Sequence, residues 1–205
     1  MTKDLLLIFT RNPELGKCKT RLAATIGDVA ALDVYRFLLI HTVTVTANLA
    51  AQKQVHYSVK IRDNDVWDDA VYEKKQQMGE DLGERMMHAF KQGFKDGYER
   101  IIIIGSDLFD LSQTDLENAF HNLKENNYVI GPAEDGGYYL LGMKQLNPNI
   151  FQNKKWGTAS VLKDTLANLG TEEVHMLPER NDVDYYDDIK DIEAFQPFLK
   201  HLKNT

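Results

Sequence analysis

Four cations, Arg11, Lys17, Lys19 and Arg21, crowd around Gly16 in the stretch RNPELGKCKTRL, directly after the apolar run LLLIF. Such a cluster can neutralise a polyanion, most simply the phosphates of a nucleotide. Arginine pairs bidentately with phosphate oxygens and lysine adds a point charge. Gly16 permits a turn that a Cβ would resist, and backbone N–H groups near a helix start at Thr20 would add donors. Neither a GxxxxGK[ST] loop nor a GxGxxG fingerprint occurs. The competing account is a solvated surface loop. Against it stands the charge balance: 24 Lys and Arg face 31 Asp and Glu, a net charge of -7, so these cations gather against the overall sign. That balance speaks against broad nucleic-acid binding and for a small anionic ligand.

The acids form a second set. Asp107 follows the run IIIIG by two residues, where a carboxylate can hold Mg²⁺ or Mn²⁺ against a phosphate or cap a turn. In GPAEDGGYYLLGM, Gly136 and Gly137 make a tight turn or admit a ligand to the backbone, with Glu134 and Asp135 beside them. In NDVDYYDDIKD, Asp182 and Asp184 point the same way if the segment is extended, while Asp187 and Asp188 suit a helix N-terminus. In MGEDLGERM, Gly79 and Gly83 bracket Asp81, with Arg85 following. That loop either lines a nucleotide pocket or is an N-capped helix start. The six histidines are scattered without metal-binding spacing, and Cys18 lies in no nucleophile motif, so no hydrolase triad emerges.

These residues must be positioned by alternating strands and helices. The patterns predict strands at 4–9, 54–60 and 101–105, and at NYVIG, YYLLGM and EEVHML. Helices are predicted from Asp28 as N-cap to about Ala51, with Leu32, Tyr35, Leu39 and Val43 at helical spacing. Others are predicted near 65–74, from Asp81 to near Gly97, from the Ser112 and Asp115 capping pair to about Asn126, and from about Asp191 to Leu202. This order implies an α/β protein, a three-layer α/β/α fold around a mostly parallel sheet, with ligands at the carboxyl ends of the strands. The loops after the first strand, after IIIIG and after NYVIG would open there.

A single domain, residues 1–205, is expected from the length. One cysteine excludes a disulfide framework and a thiolate zinc cluster. The first apolar run is too short for a signal peptide and no run approaches membrane-spanning length, so a cytoplasmic protein is expected.

Six stretches in order, LIFTRNPELGKCKTRLA, GEDLGERM, IIIIGSDLFDL, VIGPAEDGGYYLLGM, FQNKKWGTASV and DVDYYDDI, resemble the DUF2064 family across nearly the whole chain. That family is described as glycosyltransferase-like and related to the guanylyltransferase of coenzyme F420 biosynthesis, within the GT-A, or nucleotide-diphospho-sugar transferase, superfamily. The resemblance implies a GT-A-like (Rossmann-like) fold. It implies that Lys17, Lys19, Thr20 and Arg21 are the phosphate-binding loop, and that Asp107, Asp182 and Asp184 bind Mg²⁺ or Mn²⁺. Phe109 stands where the family usually has proline, which implies a less rigid loop.

The activity implied is a metal-dependent transferase joining a nucleotide or nucleotide-sugar donor to a small-molecule acceptor. Glycosyl transfer comes first. The alternatives are a nucleotidyltransferase activating a small phosphorylated metabolite, and a nucleotide-binding protein without catalysis. Asp107 and Lys19 would then serve the reacting phosphates, with Asp135 or Glu134 as the candidate general base.

Overall fold

The computed structural model describes residues 2–204. Seven strands, β1 (Asp4–Thr10), β2 (Gln52–Tyr57), β3 (Tyr72–Gln76), β4 (Arg100–Ile104), β5 (Tyr128–Pro132), β6 (Tyr138–Met143) and β7 (Val174–Met176), form one sheet. Its order is β3-β2-β1-β4-β6-β5-β7. All neighbours run parallel except β6, which is antiparallel to both β4 and β5. The reversal follows from the short DGG turn between β5 and β6, since a parallel return needs a crossover of a dozen residues or more.

Six helices complete the fold: α1 (Thr20–Ile26), α2 (Asp28–Thr46), α3 (Leu82–Lys95), α4 (Gln113–Glu125), α5 (Val161–Leu169) and α6 (Gln196–Leu199). Side chains of α2 and α4 cover one face of the sheet, meeting Leu6, Ile8, Ile102 and Ile104. Side chains of α3 and α5 cover the other, meeting Leu5, Leu7, Ile101 and Ile103. The four isoleucines are thus split between two cores, which is why an unbroken apolar run suits a central strand. The result is the three-layer α/β/α fold expected.

Two caps behave as predicted. Asp81 accepts the Glu84 N–H at 2.9 Å to open α3. Ser112 and Asp115 form a reciprocal capping box at α4. Helix α2 differs: Gly27 is its cap, Asp28 its first residue, and it ends at Thr46 rather than Ala51. Its second face packs Ala31, Val34 and Leu38 against Phe195 and Leu199 of the C-terminal segment. Among the described residues it is the one helix long and apolar enough to cross a membrane by length and composition, contrary to the sequence reading. Half of that apolar window is buried inside the protein, as expected of a helix covered on two sides.

Other elements depart further. Strand β2 stops at Tyr57 because the Asn12 carboxamide oxygen takes the Val59 and Lys60 N–H groups at 3.0 and 3.3 Å. No helix forms at 65–74. Asp65 and Asp68 instead accept the N–H groups of Trp67 and Ala70, local bonds that compete with a helix, and Tyr72–Gln76 joins the sheet edge. The predicted C-terminal helix is broken into a 3-10 turn at Glu193–Phe195, the four-residue α6 with Pro197 in its first turn, and a 3-10 stretch at Lys200–Asn204. Helix α5 and the 3-10 turn Pro148–Phe151 had no signal in the sequence reading.

Candidate active site

Strand β1 ends at Thr10, and the basic loop runs from there to α1. Asn12, 4% exposed, anchors it to the exit of β2. Its other anchor is Tyr35 of α2, whose hydroxyl accepts the Arg11 N–H at 2.9 Å and lies within 3.3 Å of the hydroxyls of Thr10 and Ser106. Tyr35 thus ties the loop after β1 to the loop after β4. Gly16 takes the left-handed turn, at φ 71°. Cys18 is buried, its thiol donating to the Glu14 carbonyl.

Lys19 is the centre of the site. It caps α1 with φ 50° and ψ 45°, a conformation that costs a side-chain-bearing residue on the order of 1 kcal/mol. Its ammonium donates to Asp107 at 2.9 Å and to Asp184 at 3.0 Å, and only 5% of the side chain is exposed. Burial alone would lower its pKa, but the two carboxylates outweigh that and hold it above the usual lysine range. Arg21 donates to the other oxygen of Asp184 at 3.0 Å and lies over the Tyr185 ring. For Asp184, burial pushes the carboxyl up, but Lys19 and then Arg21 hold it below its ordinary value.

Asp107 and the DVD segment are 75 or more residues apart, yet the Val183 N–H donates to the Asp107 carbonyl at 3.2 Å. That bond brings Asp107, Asp182 and Asp184 together. Asp188 fixes the segment further, accepting the N–H groups of Asp184 and Tyr185 at 2.8 and 2.6 Å, a capping role as predicted. Arg180, which the sequence reading passed over, bridges Asp110 and Asp115 at 3.0 and 2.9 Å. The Phe109 ring, in the loop that follows Asp107, lies 4.8 Å from Phe195 and 5.0 Å from His41.

Asp182 stands apart. Its carboxylate accepts no hydrogen bond and forms no ion pair among the described residues. Burial pushes it up to about 7; the negative charge of Asp107 adds to this, and Lys19 only partly offsets it. Among the described residues no three His, Cys, Asp or Glu side chains are gathered to hold a metal ion. The Lys19 ammonium instead lies between Asp107 and Asp184. The donors still suit a hard cation, because Mg²⁺ is commonly held by one or two carboxylates together with substrate phosphates and water. Asp107 and the unpartnered Asp182 are such a pair.

Two hollows open here. A polar cleft of about 380 Å³ is lined by Arg11, Lys17, Lys19, Thr20, Arg21 and three aspartates, Asp107, Asp135 and Asp184. Arg11, Lys17, Thr20 and Arg21 are exposed, and Lys17 is paired with Glu14 at 2.8 Å. An apolar cavity of about 220 Å³ adjoins it, sharing Asp135 and Gly157. In the DGG turn the Asp135 Oδ1 accepts the Gly137 N–H at 2.8 Å. Gly136, at φ 86°, lies so near the Ala159 backbone that a Cβ would sit 2.4 Å from its carbonyl oxygen. Glu134 is exposed and lines neither hollow.

The Gly79–Arg85 loop does not enter the polar cleft. Asp81 is a cap, and Arg85 donates to the Gly79 carbonyl at 2.9 Å. Gly83 makes room for Trp156, whose indole a Cβ would approach to 2.6 Å. It is Leu82 and Met86 from this region that face a hollow, the apolar one.

The match to known proteins covers the chain. The family model described as uncharacterized protein conserved in bacteria, DUF2064, matches residues 34–158. The chain belongs to this family. It is 31% identical to a presumed nucleotide-diphospho-sugar transferase from Desulfovibrio desulfuricans G20, with 100% of this chain and 96% of that one aligned and a TM-score of 0.88. More distant likeness, at fold level, extends to two further structures. The 4-diphosphocytidyl-2C-methyl-D-erythritol synthase of Anaerococcus prevotii DSM 20548 aligns with 10% identity, 98% and 97% coverage and a TM-score of 0.58. A cytidylyltransferase of Leptospira borgpetersenii serovar Hardjo-bovis aligns with 14% identity, 100% and 95% coverage and a TM-score of 0.55. No curated protein matches this chain in sequence. The family's chain therefore carries a GT-A-like fold, with its charged cluster at the edge where such sheets bind ligands.

Proposed function

We propose that this protein is a metal-dependent transferase acting on a nucleotide-activated donor, most simply a glycosyltransferase. The observation that carries this is the Lys19 ammonium, buried between Asp107 and Asp184 at the base of a cationic cleft. Lysine and arginine gathered in one cleft suit the binding of phosphate.

Lys19, with Arg11, Lys17, Thr20 and Arg21, faces the donor phosphates. Asp184 orients Lys19 and Arg21 through its two oxygens. Asp107 and Asp182 would hold Mg²⁺ or Mn²⁺ together with the donor phosphates. A bound cation would neutralise the charge growing on the departing nucleoside diphosphate, which lowers the barrier. Asp135 lies where the two hollows meet and is the candidate base for the acceptor hydroxyl, with one oxygen steadied by the Gly137 N–H.

Glycosyl transfer is preferred because the Desulfovibrio relative, 31% identical over the whole chain, is described as a presumed nucleotide-diphospho-sugar transferase. Nucleotidyl transfer needs the same residues, and the cytidylyltransferases share the fold. A thermal-shift screen of nucleoside mono-, di- and triphosphates and nucleotide sugars, with and without Mg²⁺ or Mn²⁺, tests the proposal. Metal-dependent stabilisation by a nucleotide sugar or diphosphate supports glycosyl transfer. A preference for triphosphates replaces it with nucleotidyl transfer. Binding without turnover of any donor leaves a nucleotide-binding protein, and no shift at all removes the nucleotide.

A further inference from the structure

A third hollow, of about 310 Å³, lies between helix α3 and the ends of β2 and β3, and it shares no lining residue with the cleft or the cavity. Lys75, Arg85, His88, Lys91 and Lys95 line it, with His56 in its wall, and among the described residues no aspartate or glutamate does. In a chain of net charge -7 this gathering runs against the overall sign. Most of the charge is uncompensated. Lys75 pairs with Glu73 at 3.2 Å and Asp96 at 3.9 Å. Arg85, Lys91 and Lys95 form no ion pair among the described residues. Helix physics accounts for one of them: Lys95 lies in the last turn of α3, where a cation suits the helix dipole. Lys91 stands four residues before it, and two like charges at that spacing weaken a helix.

Two of the donors are already set in place. The Arg85 Nε donates to the Gly79 carbonyl at 2.9 Å, which fixes the guanidinium while its terminal N–H groups have no partner among the described residues. The His88 Nδ1 lies 2.8 Å from the Met78 carbonyl; a carbonyl only accepts, so Nδ1 carries the hydrogen and Nε2 is left for a ligand. We infer that this hollow is a second anion site, separate from the proposed transferase cleft, and that it takes the phosphate group of a small molecule. A guanidinium with free terminal N–H groups meets phosphate bidentately, and the lysines add point charges. A concave hollow of this size suits a small ligand, whereas nucleic acid or a membrane surface calls for an extended basic face. Arg85, expected from the sequence at a nucleotide pocket, belongs to this site instead. The inference does not depend on the transferase reading, because the two sites have no residue in common.

Inorganic phosphate and a phosphate monoester share this chemistry, so both are used as probes. Inorganic phosphate and glycerol 3-phosphate are titrated at neutral pH, with sodium chloride holding the ionic strength constant, and the histidine ring protons are followed by NMR. The His88 resonance, assigned with His88→Gln, reports on the hollow. His121, on α4 across the sheet, is the internal control. The His88 signal is expected to move saturably, with a Kd of about 1 mM or tighter, while His121 stays in place. Lys91→Ala combined with Lys95→Ala should weaken this binding about tenfold or more; both side chains are exposed and alanine favours a helix, so the fold is kept. Lys19→Ala should leave it unchanged. Tighter binding of the ester assigns the ligand to a phosphorylated metabolite, and equal binding to free phosphate.

A His88 signal that stays still, or that moves as far with chloride alone, overturns the inference. So does a shift lost in Lys19→Ala and kept in the double variant, since the phosphate then sits in the cleft. Co-sedimentation with phosphatidylglycerol vesicles is the last arm. Vesicle binding that the double variant abolishes, with no response to either free probe, would make this face a membrane surface and sink the small ligand. The nucleotide thermal shift separates this inference from the transferase reading. The double variant should keep the parent's nucleotide response, and losing it would merge the two sites. Phosphate binding at His88 in a protein that no nucleotide stabilises would leave the second site standing and remove the transferase alone.

Discussion

The cationic cleft and the apolar cavity meet at Asp135 and Gly157 and are built from opposite materials. The cleft is a balance of charges: exposed Arg11, Lys17 and Arg21, buried Lys19, and aspartates held to them by ion pairs of 2.9 to 3.0 Å. Lys17, Lys19 and Arg21 exchange one charged partner for another when a phosphate arrives. The cavity has apolar walls, among them Phe9, Met86 and Ile103. The cleft should therefore respond to charge substitutions and ionic strength, the cavity to shape.

The comparison breaks most visibly at Lys19. Lys19→Ala removes the ammonium shared by Asp107 and Asp184, and the proposed phosphate contact with it. Turnover is expected to fall by about 100-fold or more, the usual loss when a charge-stabilising donor is removed. Stability should fall by only about 1 kcal/mol, because the Asp107 and Asp184 side chains are 37% exposed and regain water. Steady-state kinetics beside thermal melting checks this. Similar kinetics for Lys19→Ala and the parent would show that the cleft is not the phosphate site.

Asp107→Asn comes next. It keeps the shape and removes one charge, so metal-dependent nucleotide stabilisation should weaken by on the order of 10- to 100-fold. Calorimetric titration of Mn²⁺ with nucleotide reads this. An unchanged affinity would show that Asp107 is not a metal ligand.

The pH dependence sharpens the contrast within the acidic set. Folded Asp182 keeps its proton up to about pH 7, where an unfolded aspartate releases it near 4. Between those values the folded chain binds more protons than the unfolded chain, so this residue's contribution to stability falls as pH rises. Asp184, held below its ordinary value, contributes in the opposite sense: its share is present above the unfolded pKa and is lost in acid. Comparing Tm at pH 5 and pH 8, Asp182→Asn should lose the decline that the parent shows, by at most a few kcal/mol. Asp184→Asn should be less stable than the parent at both. An Asp182→Asn profile identical to the parent's would show that Asp182 does not hold its proton into this pH range.

The cleft was more legible in the sequence than the cavity, for a physical reason. Lys17, Lys19 and Arg21 stand out against a net charge of -7, and Asp107 follows four isoleucines that can only be a central strand. Their meeting was not visible, because it depends on one backbone bond from Val183 to Asp107. Tyr138 and Trp156 look like core residues in a linear pattern, and only the fold shows that their polar atoms lack partners. The predicted 65–74 helix failed where aspartate side chains took the backbone N–H groups. The C-terminal helix failed around Pro197, although its apolar side chains still found α2. Local patterns carried the strands, and long-range bonds carried the site.

Tyr35 shows how a core residue can serve the cleft. It sits at helical spacing with Leu32 and Leu39 and packs with them, which explains its ring but not its hydroxyl. That hydroxyl accepts the Arg11 N–H and reaches Thr10 and Ser106, joining the basic loop to the strand end that carries Asp107. Tyr35→Phe keeps the packing and leaves the Arg11 N–H without its partner. The expected cost is about 1 to 2 kcal/mol, or roughly 2 to 8 °C in Tm for a chain of this size. Nucleotide affinity should fall by a few-fold, because the cleft depends on the loop's register. A lower Tm with nucleotide affinity unchanged would make Tyr35 a stabilising residue and nothing more.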